Sequence, residues 1–474
     1  MISTESLIAV LYAGIALTAA SHALLNKRDP HSAWGWIAVC WLFPIGGALF
    51  YYWFGINRIH HRAVRRLGRA SATHGRAANA PPVLLPDVPG AHATELQELV
   101  RIGEALTGLP LLAGNSIEPL LNGEQAYPAM LDAINHARQS VYLSTYIYLD
   151  DAIGQRFAAA LSVAQSRGVE VRVLLDGVAD ALDRPRPSAL LKRHGLRYAL
   201  FLPPLWWPLM AHVNLRNHRK LMVVDGETGF TGGMNITDQH CLSGHGGARV
   251  SDVQFRIRGA VVRQMENAFL QDWRLASGES RALTAANLQD EGKAFARVIS
   301  DGPNEELDKL MMILLSALAT AHQRVWVMTP YFLPPSPLDG ALKAAALRGV
   351  EVRIFLPQRS DQPWIDWATR HSLQYLLMRQ IQVYYQPPPF VHSKLLLVDD
   401  YYVQFGSANM DTRSLRLNFE LVMEAYDHGL ARRLASHFES ARTVAHQLSP
   451  GEIERRSLAI RLRDALCWLL SPYL

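Results

Sequence analysis

With 474 residues, 49% of them hydrophobic and 19% charged, and a mean hydropathy of +0.01, the chain is long enough for two core-forming domains and fits a globular protein that carries some membrane sequence. Its formal net charge of +5 is too small to argue for nucleic acid as a partner. Three scattered cysteines, Cys40, Cys241 and Cys467, offer no C-x-x-C pair, which excludes a zinc framework or disulfide scaffold and favours a reducing compartment.

From Ser6 to Leu25 and again from Ser32 to Ile56 no residue carries a formal charge, and both runs reach the roughly 20 residues that cross a bilayer. The polar stretch 26–31 separates them, so residues 1–57 are expected as a transmembrane helical hairpin. Trp34, Trp36, Trp41, Tyr51, Tyr52 and Trp53 sit near the ends of the second run, at headgroup level, and Pro44 with Gly46 and Gly47 marks a kink in it. A cleaved signal peptide is the rival reading of the first run, but no basic region precedes it and no small-residue cleavage site ends it. Arg58, Arg62, Arg65, Arg66 and Arg69 crowd the exit of the second run against Lys27 and Arg28 in the turn. The expected location is therefore the inner (cytoplasmic) membrane, multi-pass, with the main body facing the cytoplasm. Residues 58–93, basic and then rich in proline and alanine, read as a linker.

From residue 94 the chain alternates strand and helix, and does so twice. Segments 140–148, 155–166 and 169–175 read as strand, helix and strand, and 324–332, 338–347 and 350–356 repeat the order. Arg-Gly-Val-Glu-Val-Arg occurs at both 167–172 and 348–353. This is an internal duplication, with a first unit at 94–280 and a second at 281–474. Strand-helix-strand order in each argues for α/β units with mixed sheets, packed about a pseudo-twofold axis with their motifs at the seam. The stretch 202–210, Leu-Pro-Pro-Leu-Trp-Trp-Pro-Leu-Met, is either a loop dipping into the membrane interface or core packing. In the tail from Arg455, Leu458, Leu462, Leu466 and Leu469 form one helical stripe, which suits a membrane-surface helix or docking on the domain.

The duplicated halves carry a matched motif. His218-Arg219-Lys220, four apolar residues and Asp225 recur as His392-Ser393-Lys394, four apolar residues and Asp399; Asn235 and Asn409 each follow their aspartate by ten positions. The apolar quartet reads as a buried strand, and residues two apart on an extended chain share a side, so each histidine stands with its lysine. Lysine at both matched positions, in a chain whose 47 basic residues include seven lysines, indicates that a compact ammonium is wanted there. Asp225 and Asp399 fall at an odd offset and read as turn anchors facing away from the histidines. Asp252 and Glu420 each open a later strand, 34 and 28 residues after the histidine of their own half, and are candidates to accept its Nδ1 proton and fix the tautomer. Around either motif no cluster has metal-ligand spacing.

With its paired H-x-K-x4-D motifs the chain resembles the phospholipase D superfamily, and within it the bacterial cardiolipin synthases with two amino-terminal membrane helices. The likeness runs nearly end to end, through FPIGGALFYYWFG, NLRNHRK, GFTGGMNI, HSKLLLVDDYYVQFGSANMDTRSLRLNFE and the closing Leu-Ser-Pro-Tyr-Leu. It implies a phospholipase D-like α/β fold and phosphatidyl transfer without metal or other cofactor, with phosphatidylglycerol and cardiolipin as lipid partners. It also implies a catalytic set of His218, Lys220, Asp225, His392, Lys394 and Asp399. In that set His218 attacks and His392 serves as acid then base, while Lys220, Lys394, Asn235 and Asn409 hold the phosphoryl oxygens. The one departure is Gly233 where the second copy has Ser407, which puts a first-half hydroxyl contact in question. A hydrolase acting on the same adduct, transfer from a different donor lipid, a nuclease of the superfamily, and a non-catalytic scaffold are the alternatives. The two intact motifs argue against the last, and the small charge and the hairpin against the nuclease.

Overall fold

The computed structural model describes residues 4–27, 30–55, 85, 90–204, 215–244, 248–286, 289–302 and 308–471. The arginines at 58–69, Arg28, nearly all of the 58–93 linker and the loop from 205 to 210 lie outside the described residues. The remainder forms two compact units, the N-terminal helices and the main body from residue 90 onward.

In the N-terminal unit the helix Thr4–Asn26 contains a 21-residue apolar stretch, Ser6–Asn26, long enough to cross a membrane. The second apolar run is not one helix. It is divided into Pro30–Leu42, Pro44–Phe50 and a π-helical turn, Tyr51–Gly55. Proline 44 has no N–H to give and its ring crowds the preceding turn, so Phe43 leaves the helical region at φ −132°. Among the described residues one helix, rather than two, has the length of a span. The pieces are held by Ala23, Trp36, Cys40 and Tyr51, and the Tyr51 hydroxyl lies 2.8 Å from His22 Nδ1.

In the first half of the main body the strands are β1 (Leu112–Leu121), β2 (Ser140–Thr145), β3 (Glu170–Asp176), β4 (Tyr198–Phe201), β5 (Leu221–Val224), β6 (Thr228–Gly232), β7 (Val250–Ser251) and β8 (Val253–Arg258). In the second they are β9 (Ala294–Asp301), β10 (Arg324–Met328), β11 (Phe332–Leu333), β12 (Glu351–Pro357), β13 (Gln382–Gln386), β14 (Phe390–Val391), β15 (Leu395–Val398), β16 (Tyr402–Gly406), β17 (Met410–Asp411), β18 (Glu420–Tyr426) and β19 (His446–Gln447). Fifteen of these make one sheet, ordered β4, β3, β2, β5, β6, β8, β1, β9, β18, β16, β15, β10, β12, β13, β19. Outward from the β1–β9 junction the two halves run through corresponding strands, with β19 added at the edge of the second, so a pseudo-twofold axis passes between β1 and β9. The outer strands pair parallel (β2–β3–β4, β10–β12–β13) and the inner ones antiparallel, which makes the sheet mixed. Phe255 of β8 and Phe405 of β16 stack with centroids 3.7 Å apart, although four strand spacings, about 19 Å, would separate them in a flat sheet. The sheet therefore folds back at β1–β9 and the faces of the two halves meet.

The repeated hexapeptide has a local cause. Gly168 and Gly349 each take φ +91°, the left-handed position that ends a helix, and the Val-Glu-Val-Arg that follows enters β3 or β12. Arg167 and Arg348 donate to the last carbonyls of an earlier helix, Ile134 in one half and Leu318 in the other. The strands expected to reach 148 and 332 stop at Thr145 and Met328. Beyond them Thr145 and Thr329 donate their hydroxyls to the carbonyls of Ile147 and Tyr331, turning the chain out of the sheet. Each half has its own apolar core, but Leu96, Leu99 and Val100 of the helix Gly90–Thr107 pack with Leu310 and Leu314 of the second half. The sequence repeat and the packing thus divide the chain at different places.

The C-terminal helix Leu458–Leu469 docks through its polar side. Asp464 is fully buried and accepts from Arg456 and Arg463, and the Arg463 guanidinium stacks over Trp367 of the helix Pro363–Leu377. Its leucine stripe faces outward, with Leu458, Leu462, Leu466 and Leu469 between 56% and 69% exposed.

Candidate active site

Both H-x-K segments are extended lead-ins to central strands, β5 and β15, whose residues are all buried; that burial is why an apolar quartet follows each lysine. The lead-ins cross the seam. Asn217 bridges to Phe419, with His218 N donating to Phe419 O at 2.9 Å and Phe419 N to Arg216 O at 2.8 Å. In the other half β14 pairs with β7, and His392 N donates to Ser251 O at 2.8 Å. Each histidine is thus laid beside the residue preceding the other half's carboxylate.

The consequence corrects the expected pairing. His218 Nδ1 lies 3.1 and 3.0 Å from the two oxygens of Glu420, and His392 Nδ1 lies 2.9 Å from Asp252 Oδ2. Each carboxylate serves the opposite half's histidine, because the backbone pairing at the seam is between halves. Both carboxylates are fully buried, and an Nδ1–H held this way puts the ring's lone pair on Nε2. Lys220 Nζ donates to His218 O at 2.9 Å, while Lys394 Nζ lies 3.0 Å from both ring nitrogens of His392 and donates to its carbonyl at 2.5 Å. The Lys394 charge acts on His218 and the Lys220 charge on His392, so the four groups share one field.

Burial dominates the electrostatics. It holds His218 well below the usual imidazole range and, with the Lys394 ammonium, brings His392 down to about 3. Burial and the mutual repulsion of the ammoniums bring Lys220 down to about 7, and burial brings Lys394 down to about 8. The carboxylates diverge. Burial pushes Glu420 up to about 7, whereas at Asp252 burial is outweighed by the His392 hydrogen bond and charge, leaving it below its ordinary value.

The Gly233–Ser407 difference follows from carboxylate length. Ser407 donates to Glu420 Oε2 at 2.5 Å, and Asn418 Nδ2 to Oε1 at 3.1 Å. The shorter Asp252 side chain occupies the space a Cβ at 233 would need, so glycine stands there. Asn235 Oδ1 accepts from Ile147 N at 3.2 Å, which leaves its NH2 as a donor; Asn409 Oδ1 is buried without a partner. Asp225 and Asp399 do not reach the histidines. Asp225 accepts the backbone N–H groups of Arg138, Gln139 and Ser140, and Asp399 those of His322, Gln323 and Arg324, all at 2.7–3.0 Å. At φ +54° and +52° they turn the chain out of β5 and β15 and tie those strands to the starts of β2 and β10. They stand at the strand ends as turn anchors, as the odd offset predicts, and not beside the histidines.

Several neighbours were not singled out from the sequence. The Tyr146 ring meets His218 edge-on at 5.2 Å, with Lys220 Nζ 5.4 Å from its centroid. His240 is buried with its ring 6.4 Å from His392, accepts Asn235 N at Nε2, and is brought down to about 4 by burial. Arg413 is half-buried and lowered by burial and by the charge of Arg216. Laying one motif copy over the other gives the signal: Arg216 corresponds to Phe390, Arg413 to Gln239 and Ser414 to His240.

The family described as cardiolipin synthase, phospholipase D-like domain, matches residues 130–273 and 314–442, and a phospholipase D-nuclease N-terminal family matches 14–55. The cardiolipin synthase of Geobacillus thermodenitrificans is 31% identical over 95% of this chain and 90% of its own length. This chain belongs to the cardiolipin synthase family. Cardiolipin synthase A of Pseudomonas fluorescens is 30% identical over 96% of the chain and 95% of that protein. Among solved structures, the phosphatidylserine synthase of Haemophilus influenzae superposes with a TM-score of 0.65 at 17% identity, covering 80% of this chain and all of that one. That likeness is one of fold. In this chain the two phospholipase D-like segments supply the two crossed histidine–carboxylate pairs.

Proposed function

We propose that this protein joins two phosphatidylglycerol molecules into cardiolipin and glycerol through a phosphatidyl-histidine. The observation that carries the reading is the pair of imidazoles at one seam, each with Nδ1 on a fully buried carboxylate and with two ammoniums in the same field. In the first step His218 Nε2 attacks phosphorus, the P–O bond to glycerol breaks, and His392 gives that oxygen its proton. In the second, His392 takes the proton from the hydroxyl of another phosphatidylglycerol as its oxygen displaces His218. Lys220 and Lys394, with Asn235 and Asn409, hold the non-bridging oxygens as charge shifts.

The carboxylates support this division of labour. An ionised Asp252 favours an imidazolium at His392, suiting it to carry protons, while Glu420, pushed up to about 7, favours that charge less at His218 and suits it to attack as a neutral base. Burial and the Lys394 ammonium hold His392 neutral, so its proton is taken up from water as the phosphodiester binds and its charge offsets Lys394. Purified protein in phosphatidylglycerol vesicles should release glycerol and cardiolipin in equal amounts. Phosphatidic acid as the main product would make the protein a hydrolase, and no turnover would leave only a scaffold.

The second apolar run, though broken at Pro44, is proposed to complete a hairpin with both ends cytoplasmic, on the excess of basic residues after Ile56. The exposed leucine stripe of the C-terminal helix is proposed to lie on the lipid surface.

A further inference from the structure

Beside His392 a cleft of about 480 Å³ opens between the two halves, lined among others by Arg249, Gln358, Arg359, Gln386 and Phe390. Phe390 N donates to Arg249 O at 3.2 Å, and the Phe390 ring centroid is 6.0 Å from that of His392, so Phe390 links the cleft to the histidine proposed to carry protons. Arg249 gives one guanidinium N–H to the Asp238 carbonyl; among the described residues neither it nor the exposed Arg359 has a carboxylate at ion-pair distance. Gln386 is 6% exposed, yet its Nε2 has no hydrogen-bond partner. Two guanidiniums with no carboxylate partner among the described residues and one orphaned buried donor call for an oxygen-rich anion.

The proposed reaction delivers one there. With His218 on phosphorus, in-line displacement puts the incoming oxygen on the His392 side. In phosphatidylglycerol that oxygen is five bonds from the lipid's own phosphorus, about 6 Å at the ~1.3 Å per bond of an extended chain. We propose that this cleft is the acceptor subsite, in which Arg249 and Arg359 bind the non-reacting phosphodiester of the incoming phosphatidylglycerol and Gln386 donates to one of its oxygens. The assignment rests on the cardiolipin reading above. It adds a reason why lipid competes with water and glycerol for the adduct: neither carries a phosphate for the arginines to hold.

The test compares acceptors on a common donor. Full-length protein in phosphatidylglycerol vesicles is assayed for cardiolipin and, with labelled glycerol, for exchange of label into phosphatidylglycerol, which uses the same adduct but no second phosphate. Arg359→Gln together with Arg249→Gln should lower the ratio of cardiolipin formation to glycerol exchange about tenfold or more. Arg359→Lys should recover part of it. Soluble glycerol 3-phosphate, which has the phosphate without the lipid, should lose ground in the same variants as phosphatidylglycerol does. An unchanged ratio, or both reactions falling in equal proportion, would overturn the subsite. A loss confined to the lipid acceptor would also overturn it, by moving the arginines to the membrane surface. Because Arg359 is exposed and has no ion-pair partner among the described residues, the single variant Arg359→Gln reports even if Arg249→Gln folds poorly. Wild-type protein that makes no cardiolipin would instead refute the parent reading.

Discussion

His218 and His392 differ in what stands behind them, and the difference is testable through the leaving group. In the proposed reaction glycerol leaves as a poor alkoxide and needs the His392 proton, worth about 10²–10⁴ in rate, whereas nitrophenolate leaves without one. A phosphatidyl ester of nitrophenol should therefore rescue His392→Ala and let labelled lipid accumulate on His218, while His218→Ala stays inactive. Rescue of the 218 variant, with the adduct at 392, would reverse the roles. The depressed lysines make a second prediction. With Lys220 at about 7 and Lys394 at about 8, an anion binding above pH 8 must bring protons back to both. Inorganic phosphate should bind more weakly as pH rises through this range, by about tenfold per pH unit for each proton taken up, measurable by calorimetry in buffers of different ionisation enthalpy. Binding that ignores pH would show that these ammoniums are not the anchors. Stability runs the other way. Between these values and the ordinary 10.5 the unfolded chain binds more protons than the folded one, so this contribution to stability grows with pH.

At the scale of elements, Asp225 and Asp399 anchor strands, and each carboxylate satisfies three backbone N–H groups. Asp225→Ala or Asp399→Ala should cost about 2–3 kcal/mol of stability by chemical denaturation, with kcat of the folded protein retained. Loss of kcat at unchanged stability would return them to the catalytic set. The C-terminal helix supplies another case. Leu462→Asp with Leu466→Asp alters only outward-facing side chains, so folding should survive while binding to anionic vesicles weakens in a flotation assay; unchanged binding would remove the helix from the lipid contact. Much of this was legible in the sequence. The motif is contiguous, the hexapeptide marks a helix end before a strand, and odd parity turned the aspartates away from the histidines. The crossed partners were not legible, because His218 and Glu420 are 202 positions apart and nothing in local spacing says which half's backbone pairs with which. The break at Pro44 was read as a kink and is a division, since the residue before it leaves the helical region. Both faces of the C-terminal helix were visible, but only packing shows the polar one inward, through the buried Asp464.

For the molecule as a whole, placement turns on which side of the bilayer holds the main body. Five arginines after Ile56 against two basic residues in the turn are the basis for proposing that the turn lies outside and the body in the cytoplasm. Single cysteines replacing Pro30 and Gly75, in a background lacking the native three, should be labelled in sealed cells by an impermeant maleimide at 30 and spared at 75; the reverse pattern would invert the topology. The crossing at the seam also has a consequence in time. A ribosome makes His218 long before Glu420, and the carboxylate that aims this imidazole is among the last strands to emerge. Until then the growing chain holds the histidine proposed to attack with no carboxylate to orient it, so on the proposed mechanism a half-made protein beside a bilayer is chemically silent.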